Sequence, residues 1–288
     1  MLESRRSPHA YAFGAYLAVM TAGLLAARSF PYLALYAVLL ATMIWLHDRH
    51  RRQPTAKRFA QAQLFYPLAM NTTFPAMAGA VPAVRDIRYD DMLLALDERI
   101  FGISPNVWME SFVSPVATEI MSLCYLFFMP LLFFSLPRYF FWQKQLLGDF
   151  YRGLFSVYGF GFLGYLTVPA AGPHLAHPEL FAIPLEGGAI TALTQYMVAV
   201  GSNGVDVFPS LHCAASAYIL GFAYRFRRGE FWWMLAPVVG LWVSTIYLRY
   251  HYFVDVFFGF ALALACLAIV WRSRSHSSIS GVQSCSSR

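Results

Sequence analysis

Charged side chains are scarce in this chain, and their scarcity excludes most classes of soluble protein. Asp, Glu, Lys and Arg make up 12% of the 288 residues, whereas apolar residues make up 58%. A soluble domain carries about 25% charged residues. The four cysteines have neither the paired spacing of a disulfide framework nor that of a metal site, and we expect the three in apolar stretches to be small core residues. An ordinary soluble enzyme, a disordered chain and a disulfide-stapled secreted module are therefore excluded.

Long apolar stretches are present instead, and they predict a membrane protein. A spanning helix needs about 20 mostly apolar residues. Eight stretches meet this need, at residues 10–27, 29–46, 59–84, 120–137, 153–173, 207–224, 231–248 and 252–271. No small-residue cleavage motif follows the first stretch, so we expect an uncleaved helix there and not a signal peptide. The predicted fold is all-α, a polytopic membrane bundle of about eight transmembrane helices.

The few basic residues predict the orientation of the bundle. Sixteen of the 21 Lys and Arg residues fall on the side that holds both termini, at 5–6, 49–58, 138–152, 225–228 and 272–288. The positive-inside rule assigns that side to the cytoplasm. The net charge of +6 is then explained by topology, and we expect no nucleic-acid partner. The predicted location is the plasma membrane, or the inner membrane of a bacterium.

The segments outside the spans divide the rest of the chain. Residues 1–58 are predicted to form a helix pair with a basic cytoplasmic loop, 59–271 a six-helix core, and the Ser-rich 272–288 a disordered tail. Helical spacing of apolar residues over 89–101 predicts a surface helix, with its acidic residues on the solvated face rather than at a cation site. The apolar stretch 189–200 is too short to span, and we expect it to be re-entrant or to lie over a cavity.

Two histidines and an aspartate stand at the outer ends of predicted spans. Ionisable residues within spans are costly, and they mark functional sites by default. His251 and Asp255 are four residues apart, so on a helix they share one face and can hydrogen-bond. A carboxylate on one imidazole nitrogen leaves the other nitrogen free as a base or nucleophile. A lone histidine such as His212 is often structural, but three such residues at one end favour a functional site.

Pro209 and Ser210, just before His212, predict an anion site. Proline suits the first turn of a helix, and the free N–H groups of that turn attract anions. The Ser210 hydroxyl adds a donor to the same place. An activated His–Asp pair, a second histidine and an anion site together indicate phosphoryl transfer, in which the protein positions groups and stabilises charge.

The motifs that these residues form resemble those of the type-2 phosphatidic acid phosphatase superfamily. Its second motif, Pro-Ser-x-His, corresponds to residues 209–212. Its third motif, Ser-x6-His-x3-Asp, corresponds to Ser244, His251 and Asp255. The order of the motifs and the placement of the histidines on one side of the membrane match as well. The resemblance covers spans three to eight, the predicted six-helix core.

Three phosphate-binding cations of that superfamily are missing here. Lipid phosphatases have an Arg where this chain has Thr245, and an earlier Lys-x6-Arg-Pro that aligns with Tyr165 and Gly172. Leu211 also replaces a Gly of the second motif. The motif pattern that these departures produce, together with the stretch 91–102, is similar to that of the inositol phosphorylceramide synthase branch and its bacterial relatives.

The resemblance implies a metal-independent mechanism without a cofactor. His251 would attack phosphorus and become a phosphohistidine, Asp255 would orient it, and His212 would protonate the departing alcohol. Ser210 would hold phosphoryl oxygens. A cation must replace the missing ones, and the candidates, in order of preference, are Arg249 and then Arg85, Arg88 or His174.

The expected partners are the bilayer, a lipid phosphate substrate and an alcohol acceptor such as inositol. Water or an alcohol could resolve the phosphohistidine, so the sequence leaves hydrolase and transferase open. The missing cations favour phosphodiester lipids, which are less charged than monoesters. The alternative is a transporter or scaffold with a structural His–Asp pair, but a transporter site more often lies near the midplane. A CDP-alcohol phosphotransferase is disfavoured because its Asp-rich metal signature is absent.

Overall fold

Each of the eight predicted spans is mostly helical in the computed structural model of the chain, although 168–172 and 207–210, at the end of the fifth and the start of the sixth, are not helical. The backbone is described for residues 8–283 and the side chains for residues 8–272. No strand occurs over this part of the chain. The helices are α1 (Pro8–Ala26), α2 (Phe30–Arg52), α3 (Ala56–Val84), α4 (Asp90–Phe101), α5 (Pro105–Trp108), α6 (Pro115–Leu126), α7 (Phe128–Pro137), α8 (Lys144–Thr167), α9 (Pro173–Ala176), α10 (Ala189–Gly201), α11 (Leu211–Phe226), α12 (Arg228–Tyr247) and α13 (Phe253–Gln283).

The length and composition of the helices make this chain a polytopic membrane protein. Within the described residues, four helical segments are long and apolar enough to cross a bilayer: Pro8–Ala26, Phe30–Arg52, Pro115–Trp142 and Phe253–Arg272. The third of these segments joins α6 and α7. The other four predicted spans are the helices α3, α8, α11 and α12, which pack beside them. The predicted all-α polytopic bundle is thus confirmed.

The first two helices pack closely on the predicted core. α1 runs along α8, and α2 packs against α1 and α3. The crossing of α1 with α8 is tight, because a Cβ on Gly159 would lie 2.6 Å from the backbone nitrogen of Phe13. Tyr16 and Tyr36 are fully buried between α1 and α2, where their hydroxyls hydrogen-bond at 2.9 Å. The helix pair therefore shares one hydrophobic core with α3 and α8.

α4 carries a buried carboxylate that holds the start of α13. Asp97 accepts the backbone N–H of Phe253 at 2.7 Å and that of Val254 at 2.9 Å. These N–H groups belong to the first turn of a helix, where they have no partner within the helix. Burial raises the pKa of Asp97, and the two N–H donors partly oppose that shift. α4 thereby fixes where α13 begins.

Asp90 of α4 ties two further segments together. Its carboxylate accepts the backbone N–H groups of Ala171 and Gly172 at 2.9–3.1 Å and the hydroxyl of Tyr252 at 3.0 Å. The prediction that the acidic residues of this helix face solvent is therefore wrong for Asp90 and Asp97, because both cap buried backbone groups. Asp91 does face solvent, with 99% of its side chain exposed.

The carboxylate of Glu119 in α6 holds the start of α10. Glu119 accepts the backbone N–H groups of Gly188, Ile190 and Thr191 at 2.7–3.0 Å, and the Thr191 hydroxyl at 2.6 Å. These are the unpartnered N–H groups at the start of a helix, which attract negative charge. The last turn of α10 lines a cavity, so the prediction of a short apolar helix over a cavity is confirmed.

The end of the chain is described in part. The backbone of α13 is helical as far as Gln283, beyond the point where a disordered tail was expected to start. From residue 273 on, the predicted tail, 272–288, lies outside the residues whose side chains are described, and residues 284–288 lie outside the description altogether. The boundaries of the three predicted domains stay predictions.

Candidate active site

His251 and Asp255 form a buried hydrogen-bonded pair at the start of α13. The helix begins at Phe253, so the turn before it carries His251 and its first turn carries Asp255. His251 Nδ1 lies 2.9 Å from Asp255 Oδ1, and the other carboxylate oxygen accepts the backbone N–H of Tyr252 at 2.7 Å. An ionised carboxylate only accepts hydrogen bonds, so His251 Nδ1 carries the proton. His251 Nε2 therefore keeps a lone pair.

His212 meets this pair from the first turn of α11. Its Nδ1 lies 3.2 Å from His251 Nε2, and its Nε2 lies 3.1 Å from the hydroxyl of Tyr125 in α6. Because His251 Nε2 accepts, His212 Nδ1 donates, and His212 Nε2 then accepts the Tyr125 O–H. With Asp255 ionised, each side chain thus donates a hydrogen bond to the next in the order Tyr125, His212, His251, Asp255. We name Tyr125, His212, His251 and Asp255 the histidine chain.

Backbone hydrogen bonds hold the two histidine-bearing segments together. The N–H of Ser210 donates to the carbonyl oxygen of Asp255 at 3.1 Å, which ties the start of α11 to the start of α13. The side-chain amide of Asn106 donates to the carbonyl oxygens of His251 and Ile246 at 3.0 and 2.8 Å. Sequence reasoning missed Asn106, because no local pattern marks it as a partner for carbonyl groups that lie at least 140 residues away.

Ser210 caps α11. Its Oγ accepts the backbone N–H of Cys213 at 3.3 Å, and the residue is fully buried. The helix begins at Leu211, so Pro209 precedes the cap and does not occupy the first turn as predicted. The hydroxyl hydrogen of Ser210 remains a possible donor. Its role in holding phosphoryl oxygens stays a prediction, since Ser210 is not among the residues that line the neighbouring cavity.

A cavity of about 370 Å³ lies beside the histidine chain. This volume falls within the range of about 300–1,000 Å³ that is typical of small-molecule sites. Its apolar lining comes mainly from α3, α7 and α10. We name it the histidine cavity, and its polar lining residues are Asn71, Tyr125, Tyr158, Tyr165, His174, Ser202, Asp206, His212, Tyr250 and His251. No Lys or Arg is among its lining residues.

Arg249, the preferred replacement for the missing cations, points to a neighbouring cavity. Its guanidinium pairs with Glu110 at 2.9 Å and lies 4.1 Å from the ring centre of Phe181. That second cavity, of about 360 Å³, shares His174 and Tyr250 with the histidine cavity. To reach a phosphate beside His251, the Arg249 side chain would have to leave Glu110. Its role in substrate binding stays a prediction.

Of the three alternative cations, His174 reaches the histidine cavity. Arg85 donates to the hydroxyl of Tyr89, and Arg88 donates to a backbone carbonyl oxygen of the 202–210 segment. His174 stands edge-on to Tyr250, with 4.9 Å between ring centres. Burial lowers the pKa of His174 to about 4. His174 is therefore neutral at pH 7, and it offers a hydrogen bond but no charge.

The two positions that align with the missing Lys and Arg hold a neutral side chain and a glycine, and the backbone requires the glycine. Tyr165 is buried in α8, and it lines the histidine cavity with a neutral side chain. Gly172 has a φ of +90°, and a Cβ there would lie 2.5 Å from the carbonyl oxygen of Tyr250. A larger residue at Gly172 would strain the backbone and displace the turn that carries His251.

Asp206 adds a carboxylate to the histidine cavity that sequence reasoning did not single out. Its Oδ1 accepts the Ser202 hydroxyl at 3.0 Å, and burial raises the pKa of Asp206 against the effect of that hydrogen bond. An isolated acidic residue in an apolar outer segment, six positions before His212, was the available signal. Among the described side chains, no group of three or more His, Cys, Asp or Glu residues is arranged to hold a metal ion.

The fold and the site together define a polytopic membrane protein with a buried centre of two histidines and an aspartate. A sequence model of the PAP2 superfamily matches residues 91–269, which is well over half of the chain and includes the whole histidine chain. The chain belongs to the PAP2 superfamily. Members of this superfamily are generally phosphatases and phosphotransferases, and the chain has a lipid phosphatase-type fold. Searches of curated proteins and of solved structures find no match to it.

Proposed function

We propose that the protein is an integral-membrane lipid phosphate phosphatase or phosphotransferase that works through a phosphohistidine intermediate. The observation that carries this proposal is the histidine chain, which places an unprotonated nitrogen of His251, hydrogen-bonded by His212 Nδ1, at the wall of a largely apolar cavity. Superfamily membership supports an enzyme that acts on a lipid phosphate. The proposal goes further, because it assigns the nucleophile, the acid and the kind of phosphate.

His251 is the proposed nucleophile. Its Nε2 lone pair attacks phosphorus, so that an N–P bond forms while the bond from phosphorus to the leaving-group oxygen breaks. Asp255 accepts the Nδ1 hydrogen bond throughout, and it stabilises the positive charge that the ring gains. His212 Nδ1 stands 3.2 Å from the attacking nitrogen, so an oxygen bonded to phosphorus would lie within its reach.

His212 is the proposed general acid and then the general base. It binds a second proton when the phosphate anion enters, and the Tyr125 hydroxyl turns from donor to acceptor to match. The second proton sits on Nε2, so His212 Nδ1 can give its own proton to the departing alcohol oxygen and leave the ring neutral. Neutral His212 then takes a proton from water or an acceptor alcohol, whose oxygen attacks phosphorus as the N–P bond breaks. Water yields a phosphatase, and an alcohol such as inositol yields a phosphotransferase.

The apolar part of the histidine cavity supports a lipid substrate. Met70 and Phe74 of α3 and Leu132 of α7 line it, together with Met129 and Phe133 of α7. The last two are 39% and 52% exposed, so the cavity is not closed by protein at this part of its lining. The lining is therefore continuous with a surface that faces lipid in a membrane bundle, and an acyl chain can enter between α3 and α7.

The charge of the histidine cavity favours phosphodiester lipids. A monoester phosphate carries close to two negative charges near pH 7, whereas a diester carries one. A cavity with no Lys or Arg in its lining stabilises the diester better. Transfer of an inositol-phosphoryl head-group is the form of this reaction that the sequence resemblance implies. The positive-inside rule supports an extracytoplasmic site, because the basic loops lie at the opposite ends of the helices from His212 and His251.

Turnover of a defined lipid panel tests the proposal. Purified protein in detergent receives labelled phosphatidate, phosphatidylcholine and phosphatidylinositol, in parallel assays with and without EDTA. We expect turnover in the parent, its loss in His251→Ala, and its retention in His177→Gln. His177 is a matched control, because it is buried near α4 and does not line the histidine cavity. An acid-labile phosphoenzyme should form in the parent and be absent from His251→Ala.

Each part of the proposal has its own contradicting result. Activity undiminished in His251→Ala would refute the site, and activity abolished by EDTA would refute a metal-independent mechanism. A new phospholipid formed on addition of inositol or another alcohol would identify a phosphotransferase. Release of the free phospho-head-group alone, with every acceptor tried, would identify a hydrolase.

A further inference from the structure

The histidine cavity contains a carboxylate without a cationic partner. Asp206 lines the cavity, and it forms no salt bridge with any described Lys, Arg or His. Buried charges in proteins are normally paired, because an isolated ion loses its hydration. A carboxylate beside a phosphate site also repels the phosphate. Both costs are removed if the ligand itself brings a positive charge to Asp206.

Aromatic rings face the same space. Tyr125, Tyr165 and Tyr250 line the cavity, and Asp206 is within electrostatic range of the first two. The rings of Tyr125 and Tyr250 have centres 4.8 Å apart and are inclined by 54°, so they form a corner. The negative faces of aromatic rings attract cations, and quaternary ammonium groups are typically held by such rings.

We infer that the histidine cavity binds a phosphodiester lipid whose head-group ends in an ammonium ion, of the choline or ethanolamine type. The phosphate meets His251 while the ammonium lies between Asp206 and the tyrosine corner. Two carbons separate the two charges in such a head-group, and Asp206 is within electrostatic range of His251. This inference rests on the proposed function, since it names the substrate class of the same site.

A head-group of this kind satisfies several features of the cavity at once. Its ammonium pairs with Asp206, and the same charge offsets the phosphate in a cavity without Lys or Arg. An inositol head-group is neutral and offers Asp206 hydrogen bonds alone. Phosphatidate brings additional negative charge and nothing to pair with the carboxylate. The cavity therefore selects against phosphatidate and prefers an ammonium head-group to inositol.

Competition between head-groups on identical acyl chains tests this inference. The parent receives phosphatidylcholine, phosphatidylethanolamine, phosphatidylinositol and phosphatidate at equal mole fractions in a sugar-based detergent, and kcat/KM is measured for each. We expect one of the ammonium lipids to exceed phosphatidylinositol and phosphatidate by at least about tenfold. Asp206→Asn, which removes the charge and keeps the shape, should reduce that ratio by about tenfold or more, which corresponds to about 1.4 kcal/mol.

The control and the outcomes keep this inference apart from the proposed function. Asp91→Asn removes the same charge from a side chain that is 99% exposed, and should leave the ratio unchanged. A preference for phosphatidylinositol or phosphatidate overturns the inference and leaves the proposed function standing. A ratio that survives in folded Asp206→Asn also overturns it. Turnover of none of the four lipids by folded parent protein overturns the proposed function and the inference together.

Discussion

Replacing Asp255 with Asn should reverse which atoms donate and which accept along the histidine chain, while every hydrogen bond is kept. In the parent, one carboxylate oxygen accepts from His251 Nδ1 and the other accepts the buried N–H of Tyr252. An amide has one accepting oxygen and one donating nitrogen. The Tyr252 N–H requires the oxygen, so the amide NH2 faces His251 Nδ1. That nitrogen must then accept, and the ring proton moves to Nε2.

The size of the effect follows from which nitrogen loses its lone pair. Nε2 is the proposed attacking atom, and once protonated it cannot form the bond to phosphorus. The equivalent tautomer reversal in a Ser–His–Asp triad lowers kcat about 10⁴-fold. At about 1.36 kcal/mol for each tenfold, this is about 5 kcal/mol of transition-state stabilisation. The cost in folding stability should be about 1 kcal/mol or less, because no donor is left without an acceptor.

Asp97→Asn is the matched control for Asp255→Asn, because Asp97 of α4 is also a buried carboxylate at the start of α13. Both oxygens of Asp97 accept backbone N–H groups, from Phe253 and Val254. An amide there sets its NH2 against one of these donors, which leaves a buried N–H unsatisfied at a cost of about 1–3 kcal/mol. We expect Asp97→Asn to lower the unfolding temperature while kcat per folded molecule stays within about tenfold of the parent.

Thermal unfolding in detergent and steady-state lipid turnover together measure both variants. The reasoning predicts opposite patterns: Asp255→Asn loses kcat and keeps stability, and Asp97→Asn loses stability and keeps most of kcat. A kcat for folded Asp255→Asn within tenfold of the parent would refute the tautomer argument. Equal loss of kcat in both variants would show that these carboxylates act on catalysis through the fold alone.

Three further predictions concern residues around the histidine cavity. Tyr125→Phe removes the partner of His212 Nε2, so kcat should fall about 10- to 100-fold with a shifted pH–rate profile, and an unchanged profile would contradict this. Arg249→Ala should destabilise the fold by about 3 kcal/mol, because Glu110 loses its cationic partner. A rise in KM with Arg249→Ala but not with Glu110→Ala would instead support phosphate binding by the arginine. Burial lowers the pKa of His174 to about 4. Protonation of His174 should therefore destabilise the fold as the pH falls from about 6.5 to 4. Over this pH range, the unfolding temperature of His174→Gln should change less than that of the parent.

The sequence was sufficient for the helices and for the central pair of the site. Apolar stretches long enough to span predict where helices form, because the bilayer imposes that length. The i, i+4 spacing of His251 and Asp255 predicts their contact, and the structure makes it across the start of α13, with His251 in the turn just before the helix. The motif spacing that the superfamily resemblance supplied then related His212 to this pair, and the two rings do meet at 3.2 Å.

Contacts between distant parts of the chain could not be predicted in the same way. The hydrophobic pattern of α4 indicates an amphipathic helix, but it does not show that Asp97 turns inward to α13, 156 residues later. Asn106 and Tyr125 reach the site through tertiary packing, for which neither residue has a local signal. Arg249 was chosen because it stands two residues before His251, yet its φ of 65° belongs to a turn that directs its side chain to Glu110.

Gly172 limits how this protein could change in evolution. Its φ of +90° and its close approach to the Tyr250 carbonyl oxygen mean that no single substitution can restore the Arg of the phosphatase motif. The turn between α12 and α13 would have to move first, and that turn carries the nucleophile. A substitution that introduced a cation at Gly172 would therefore disturb the nucleophile in the same step. The absence of a cation at this position is in this sense coupled to the placement of His251.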